Sequence, residues 1–137
     1  MPSLTGVLET SLYVDDLDRA SRFYEETFGL RRIEGDDRFR AYGVGGRSVL
    51  LLFKRGASNR VTQLREGTLG PHDGNGPLHL AFSVSAEDLP AWERLLVERG
   101  IRIETRIQWP RGGRSVYFRD PDNHSVELAT PGLWSIY

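Results

Sequence analysis

Glu9, His79 and Glu127 are the side chains of this 137-residue chain whose types and settings point to chemistry. Each interrupts an apolar run: Leu8-Glu9-Thr10-Ser11-Leu12-Tyr13-Val14, Leu78-His79-Leu80-Ala81-Phe82-Ser83-Val84, and Ser125-Val126-Glu127-Leu128-Ala129. Strand alternation puts Glu9, Ser11 and Tyr13 on the face opposite Leu8, Thr10, Leu12 and Val14. It likewise groups His79, Ala81 and Ser83 against Leu80, Phe82 and Val84, and Ser125, Glu127 and Ala129 against Val126 and Leu128. A buried ionised carboxylate is costly unless it is paired, hydrogen-bonded or bound to a cation. Two glutamates and a histidine among small neighbours therefore suggest a cavity holding a divalent metal. Each residue also has a plainer reading: His79 as a structural strand histidine, Glu9 as a partly exposed residue paired with an arginine. His124, in a hairpin turn, reads as solvated, and Arg111-Gly112-Gly113-Arg114 as a hairpin loop lacking the strand-loop-helix setting of a phosphate loop.

The elements that must position these residues come in two similar sets. Glu9 and His79, Asp16 and Asp88, and Gly29 and Gly100 stand 70, 72 and 71 residues apart. A period of half the chain argues for two similar modules facing each other, not a solenoid. The first begins with a strand over 6–14. A helix follows, capped by Asp15 or Asp16, with Leu17, Ala20, Phe23, Tyr24, Thr27 and Phe28 at helical spacing and Gly29 as its stop. Strands at Leu30–Glu34, Phe39–Val44 and, after Gly45-Gly46, Ser48–Phe53 complete a β-α-β-β-β unit.

The second module repeats the order, with a strand at 78–84, a helix over about 87–99 capped near Ser85, and strands at Ile101–Ile107, Ser115–Arg119 and Ser125–Ala129. The fold class expected is α+β, two β-α-β-β-β modules forming a curled mixed sheet around a cleft, in one domain spanning 1–137. Module one covers about 4–56, a polar Gly-, Asn- and Pro-rich loop 57–77, module two about 78–130, and a tail 131–137. The tail's Leu133, Trp134, Ile136 and Tyr137 are apolar enough to cover the sheet or a subunit interface.

Composition narrows the function classes. With 39% hydrophobic residues the chain suits a folded domain. Its 18 basic and 19 acidic residues give a net charge of -1, no footprint for nucleic acid or an anionic membrane. The absence of cysteine excludes disulfides, zinc-thiolate sites and a cysteine nucleophile. Met1-Pro2-Ser3 lacks the features of a signal peptide and no apolar run reaches transmembrane length, so a cytoplasmic location is expected. The partners expected are a small-molecule substrate and a second copy of the chain.

Glu9 to Leu17, Phe23-Tyr24, Phe28-Gly29-Leu30, His79-Leu80-Ala81-Phe82 and Tyr117 to Glu127, in this order and spacing, resemble the vicinal oxygen chelate superfamily. That group includes glyoxalase I, extradiol dioxygenases, fosfomycin-resistance enzymes and bleomycin-binding proteins. The resemblance implies metal ligands at Glu9, His79 and Glu127 and a fourth ligand position near Leu50, where glyoxalase I has a carboxylate. Leucine there lowers the glyoxalase reading and leaves a three-ligand set with open positions. Two carboxylates favour Fe or Mn, with Zn, Ni or Co also compatible.

Tyr117 resembles the tyrosine that hydrogen-bonds a substrate oxygen in extradiol dioxygenases, and His72 is the nearest candidate for their additional base. The function implied is a divalent-metal-dependent enzyme acting on a small substrate with vicinal oxygens, dioxygenase-like favoured. The alternatives are a glyoxalase-type lyase or isomerase and a metal-free binding protein of the resistance type. A homodimer is the implied assembly.

Overall fold

The alternation in the sequence becomes sheet faces in the structure. The computed structural model describes residues 1–137, which fall into two units, Met1–Asn75 and Gly76–Tyr137. Unit one contains β1 (Glu9–Val14), α1 (Leu17–Phe28), β2 (Arg32–Gly35), β3 (Phe39–Val44) and β4 (Ser48–Lys54), then the short strands β5 (Thr62–Gln63) and β6 (Thr68–Leu69). Unit two contains β7 (His79–Ser83), α2 (Leu89–Glu98), β8 (Ile103–Gln108), β9 (Arg114–Arg119) and β10 (Ser125–Ala129).

The two main sheets have the same order, β1-β4-β3-β2 and β7-β10-β9-β8. In each sheet, the strands first and last in chain order (β1 and β4, β7 and β10) lie side by side in parallel, and the other pairings are antiparallel. The sequence repeat is therefore a repeat of topology. No helix is long and apolar enough to cross a membrane.

Each helix covers the aliphatic face of its own sheet. In unit one Leu12, Val14, Leu50, Leu52 and Tyr42 are buried with Ala20 and Tyr24 of α1. In unit two Val116, Phe118, Val126 and Leu128 are buried with Leu89 and Leu96 of α2. Each such side chain contributes about 1.5–3 kcal/mol of burial. Asp16 caps α1 by accepting from the Arg19 amide at 3.0 Å, and Gly29 ends it at φ +64°. At the start of α2 the Ser85 hydroxyl accepts from the Asp88 amide, and Pro90 occupies the first turn, where no amide is needed.

Three local features depart from the sequence reading. The segment 57–77 carries the hairpin β5–β6, whose two-residue strands are too short for any alternation to show. His124 is fully buried, which corrects its reading as a solvated turn residue. Asp120 Oδ1 accepts from the Asp122 and His124 amides while Asn123 adopts φ +66°; this tight turn directs the imidazole inward, where Nδ1 accepts from the Leu78 amide at 2.8 Å. The tail divides: the Tyr137 hydroxyl reaches the carbonyls of Ala129 and Val84 at 3.0 and 3.2 Å, whereas Trp134 and Ile136 are exposed.

Candidate functional site

The ladder of β7, β10 and β9 brings three of the predicted residues together. Glu127 is paired with Ala81 on one side and Tyr117 on the other, and His79 is paired with Ser125, two residues before Glu127. All five side chains leave the sheet on one face. His79 Nε2 lies 3.3 Å from Glu127 Oε2, and the His79 and Tyr117 rings stack with centroids 6.2 Å apart.

Glu127 is 3% exposed, and its second oxygen, Oε1, has no hydrogen-bond partner. A carboxylate so placed is underpaired, because a buried acceptor left unmade costs about 1–3 kcal/mol or more when charged. The Tyr117 hydroxyl is held above its ordinary pKa, first by burial and then by the adjacent Glu127 carboxylate. It therefore stays protonated and available as a donor.

The orientation of His79 comes from a main-chain group. Its Nδ1 lies 3.0 Å from the Ser125 carbonyl, which can only accept, so Nδ1 carries the proton. In the neutral ring the Nε2 lone pair is then directed to the Glu127 side. A second-nitrogen bond to a carbonyl is the usual way a ligating imidazole is oriented. The Nε2 facing Glu127, the underpaired carboxylate oxygen Oε1 and the oriented ring together fit a divalent cation. Ser125 was visible in the sequence only as a small neighbour of Glu127; its carbonyl acts through the β7–β10 register, which no residue type announces.

The β7 position itself is fixed by the buried turn. The His124 imidazole accepts from Leu78 immediately before His79, and the Ser125 amide donates to the Leu78 carbonyl at 2.8 Å. His124 thus positions the strand that carries His79.

Glu9 and His72 belong to unit one. No group of three His, Asp or Glu side chains gathers in the chain. Register also corrects the fourth ligand position. His79 and Glu127 are related by the pairing of Ala81, two residues after His79, with Glu127; the corresponding pair in unit one is Ser11 with Leu51. The position is therefore Leu51, not Leu50. A one-residue slip reverses the face, and Leu50, 2% exposed, points into the helix-covered core.

Leu51, Glu9 and His72 line a cavity of about 350 Å³ on the open face of the unit-one sheet. His72 Nδ1 shares a 2.8 Å hydrogen bond with the Tyr13 hydroxyl, and its ring meets Phe53 edge-on at 4.6 Å. Burial, and then the charge of Asp73, raise the Tyr13 pKa, so this phenol keeps its proton.

Similarity to known proteins agrees with this architecture. The chain is 40% identical over 132 residues to the metallothiol transferase FosB of Staphylococcus epidermidis, covering 95% of this chain and 84% of that protein. It is 30% identical over 133 residues to the fosfomycin resistance protein FosX of Listeria innocua, covering 91% and 89%. Among solved structures, a lactoylglutathione lyase from Agrobacterium tumefaciens superposes with a TM-score of 0.89 at 32% identity, covering 98% of this chain and 99% of that one. The family model described as Glyoxalase/Bleomycin resistance protein/Dioxygenase superfamily matches residues 6–128, and the chain belongs to that superfamily.

Proposed function

We propose that the protein is a divalent-metal-dependent enzyme acting on a small substrate with vicinal oxygens, with His79 and Glu127 among its ligands. The observation that carries the reading is the buried, partnerless Glu127 Oε1 beside a histidine whose other nitrogen is already oriented. A cation held there would act as a Lewis acid on a substrate oxygen, lowering its pKa. His79 and Glu127 then serve as fixed donors, and Tyr117, still protonated, offers its hydroxyl to the oxygen that gains negative charge.

Leu51 supplies neither a ligand nor a proton shuttle at the position where glyoxalase I has a carboxylate. Within this reading that favours oxygen-dependent, dioxygenase-like chemistry over lyase chemistry, with Fe or Mn as the metal. The Tyr13 bond occupies His72 Nδ1 and fastens its loop, so in this reading Nε2 is the ring nitrogen that would serve as the additional base. The assembly in this reading is a homodimer, for which sedimentation at twice the 15.5 kDa chain mass is expected.

A second reading, fosfomycin modification, is favoured by the similarity to FosB and FosX. Elemental analysis of protein purified without chelator, followed by oxygen-uptake and fosfomycin assays, tests both. Stoichiometric metal, lost in Glu127→Ala, is expected together with oxygen uptake on a catechol. Thiol addition to fosfomycin with no oxygen uptake on any catechol would replace the first reading with the second. Absence of metal in the wild type would overturn both.

A further inference from the structure

The cavity of unit one carries its own specification of what it binds. Its volume, about 350 Å³, lies at the small end of the ~300–1,000 Å³ typical of small-molecule sites. Strand alternation turns Val49, Leu51 and Phe53 of β4 to this face, and Phe39 and Ala41 of β3 pair with Phe53 and Leu51. The Phe39 and Phe53 rings are 5.7 Å apart, and Tyr13 stacks on Phe53 with ring centroids 5.8 Å apart. The wall is thus a continuous aliphatic and aromatic surface.

Thr62 and Leu69 of the β5–β6 hairpin also line this cavity. The loop is held to the rest of unit one by Arg38 Nη1 donating to Thr62 Oγ1 at 3.4 Å and by the Gly56 amide donating to Asp73 Oδ1 at 3.2 Å, and it is closed on itself by the His72 amide on the Ser58 carbonyl at 2.8 Å. The lining charges are Glu9, Glu34 and Arg38, and Arg38 already pairs with Asp36 at 3.5 Å. An anion entering here would lose water and meet two carboxylates against one neutralised guanidinium, which is unfavourable on both counts.

We propose that this cavity binds the uncharged aromatic body of the ligand and rejects small anions. The ring site stands on the wall and its charge alone, independently of the metal reading above.

A matched pair of probes tests it: 2-naphthol, uncharged at pH 7, and 2-naphthoate, the same ring bearing a carboxylate. Calorimetric titration of the chelator-treated full chain should show 2-naphthol binding about tenfold or more tighter than 2-naphthoate, the scale on which a hydrophobic pocket discriminates. Leu51→Asp should weaken 2-naphthol by a similar factor. Leu69→Asp, at a half-exposed position of the hairpin that tolerates a charge, should weaken it about threefold even if Leu51→Asp fails to fold. Glu127→Ala should leave 2-naphthol affinity unchanged while abolishing metal uptake; retention of metal would sink the metal reading and leave the ring site standing. Equal or tighter binding of 2-naphthoate, or no response to either leucine variant, would overturn the proposal.

Discussion

The two units share a strand order and a register and differ in what they place at equivalent positions. Where unit two has His79, Glu127 and the buried His124, unit one has Glu9, Leu51 and Ser48. Where unit one buries Tyr42 behind its sheet, unit two buries Phe118. The backbone repeat supplies two frames of the same geometry. Side-chain substitution makes one frame a paired, ionisable site and the other an apolar chamber with a hairpin along its lining. Shared topology thus predicts where chemistry can be placed, and not in which unit it is placed.

Making unit two resemble unit one should break this division most strongly. Glu127→Leu reproduces Leu51 and removes a buried carboxylate. In the wild type, Mn²⁺ or Fe²⁺ at about 1,000 times its Kd should add roughly 4 kcal/mol of stability; in the variant the gain should vanish. The metal-free variant should be more stable than metal-free wild type, because replacing buried ionic groups by apolar ones is often neutral or favourable by about 1–4 kcal/mol. Denaturant unfolding with and without metal measures both. A metal-free variant less stable than wild type would show that the carboxylate is structurally satisfied.

The second comparison concerns two positions made equivalent by register, His124 just before β10 and Ser48 at the start of β4. His124→Ala leaves the Leu78 amide without an acceptor and should cost about 1–3 kcal/mol, together with weaker metal binding through a displaced His79. Ser48→Ala, the equivalent change in unit one, should stay within about 0.5 kcal/mol, since the Ser48 hydroxyl makes only a 3.5 Å contact with the Val44 carbonyl. Equal losses in the two variants would erase the distinction.

The smallest effect is expected at Tyr42. Its pKa is raised chiefly by burial, and its hydroxyl donates to Glu25 Oε1 at 2.8 Å. Tyr42→Phe, which copies Phe118, should cost about 0.5–1.5 kcal/mol at neutral pH. Because the folded pKa lies above that of the unfolded chain, the tyrosine's contribution is complete below the ordinary tyrosine pKa of about 10 and is lost as pH rises through the folded value. Unfolding curves at pH 7 and pH 11 should therefore bring wild type and variant together at the higher pH. A gap that widens with pH would mean that the sign is wrong.

The sequence disclosed most of this architecture because the signals that matter to it are local. Asp16 and Gly29 bracket α1 by capping chemistry, and the alternation around His79 and Glu127 assigns both to one face. What it withheld depends on partners distant along the chain. Leu51 and Leu50 are both leucines in an apolar run, and only the pairing of Ser11 with Leu51 distinguishes core from cavity. His124 follows a run of turn residues that reads as solvent-facing, and its burial is set by the Leu78 amide 46 residues earlier. The β5–β6 hairpin has no pattern of its own; its place along the cavity depends on Arg38 and Ser58.

The hairpin also has a kinetic meaning. Its strands contribute two residues each, closed by the Leu64 amide on the Gly67 carbonyl at 2.8 Å. Val61, Leu64 and Leu69 stay exposed, so its opening gives up little buried area. Segments of that kind open at free energies far below that of global unfolding. The β4 floor, with Leu50 and Leu52 locked under α1, does not share that freedom. Residence time in the chamber can then be tuned at the hairpin without softening the sheet.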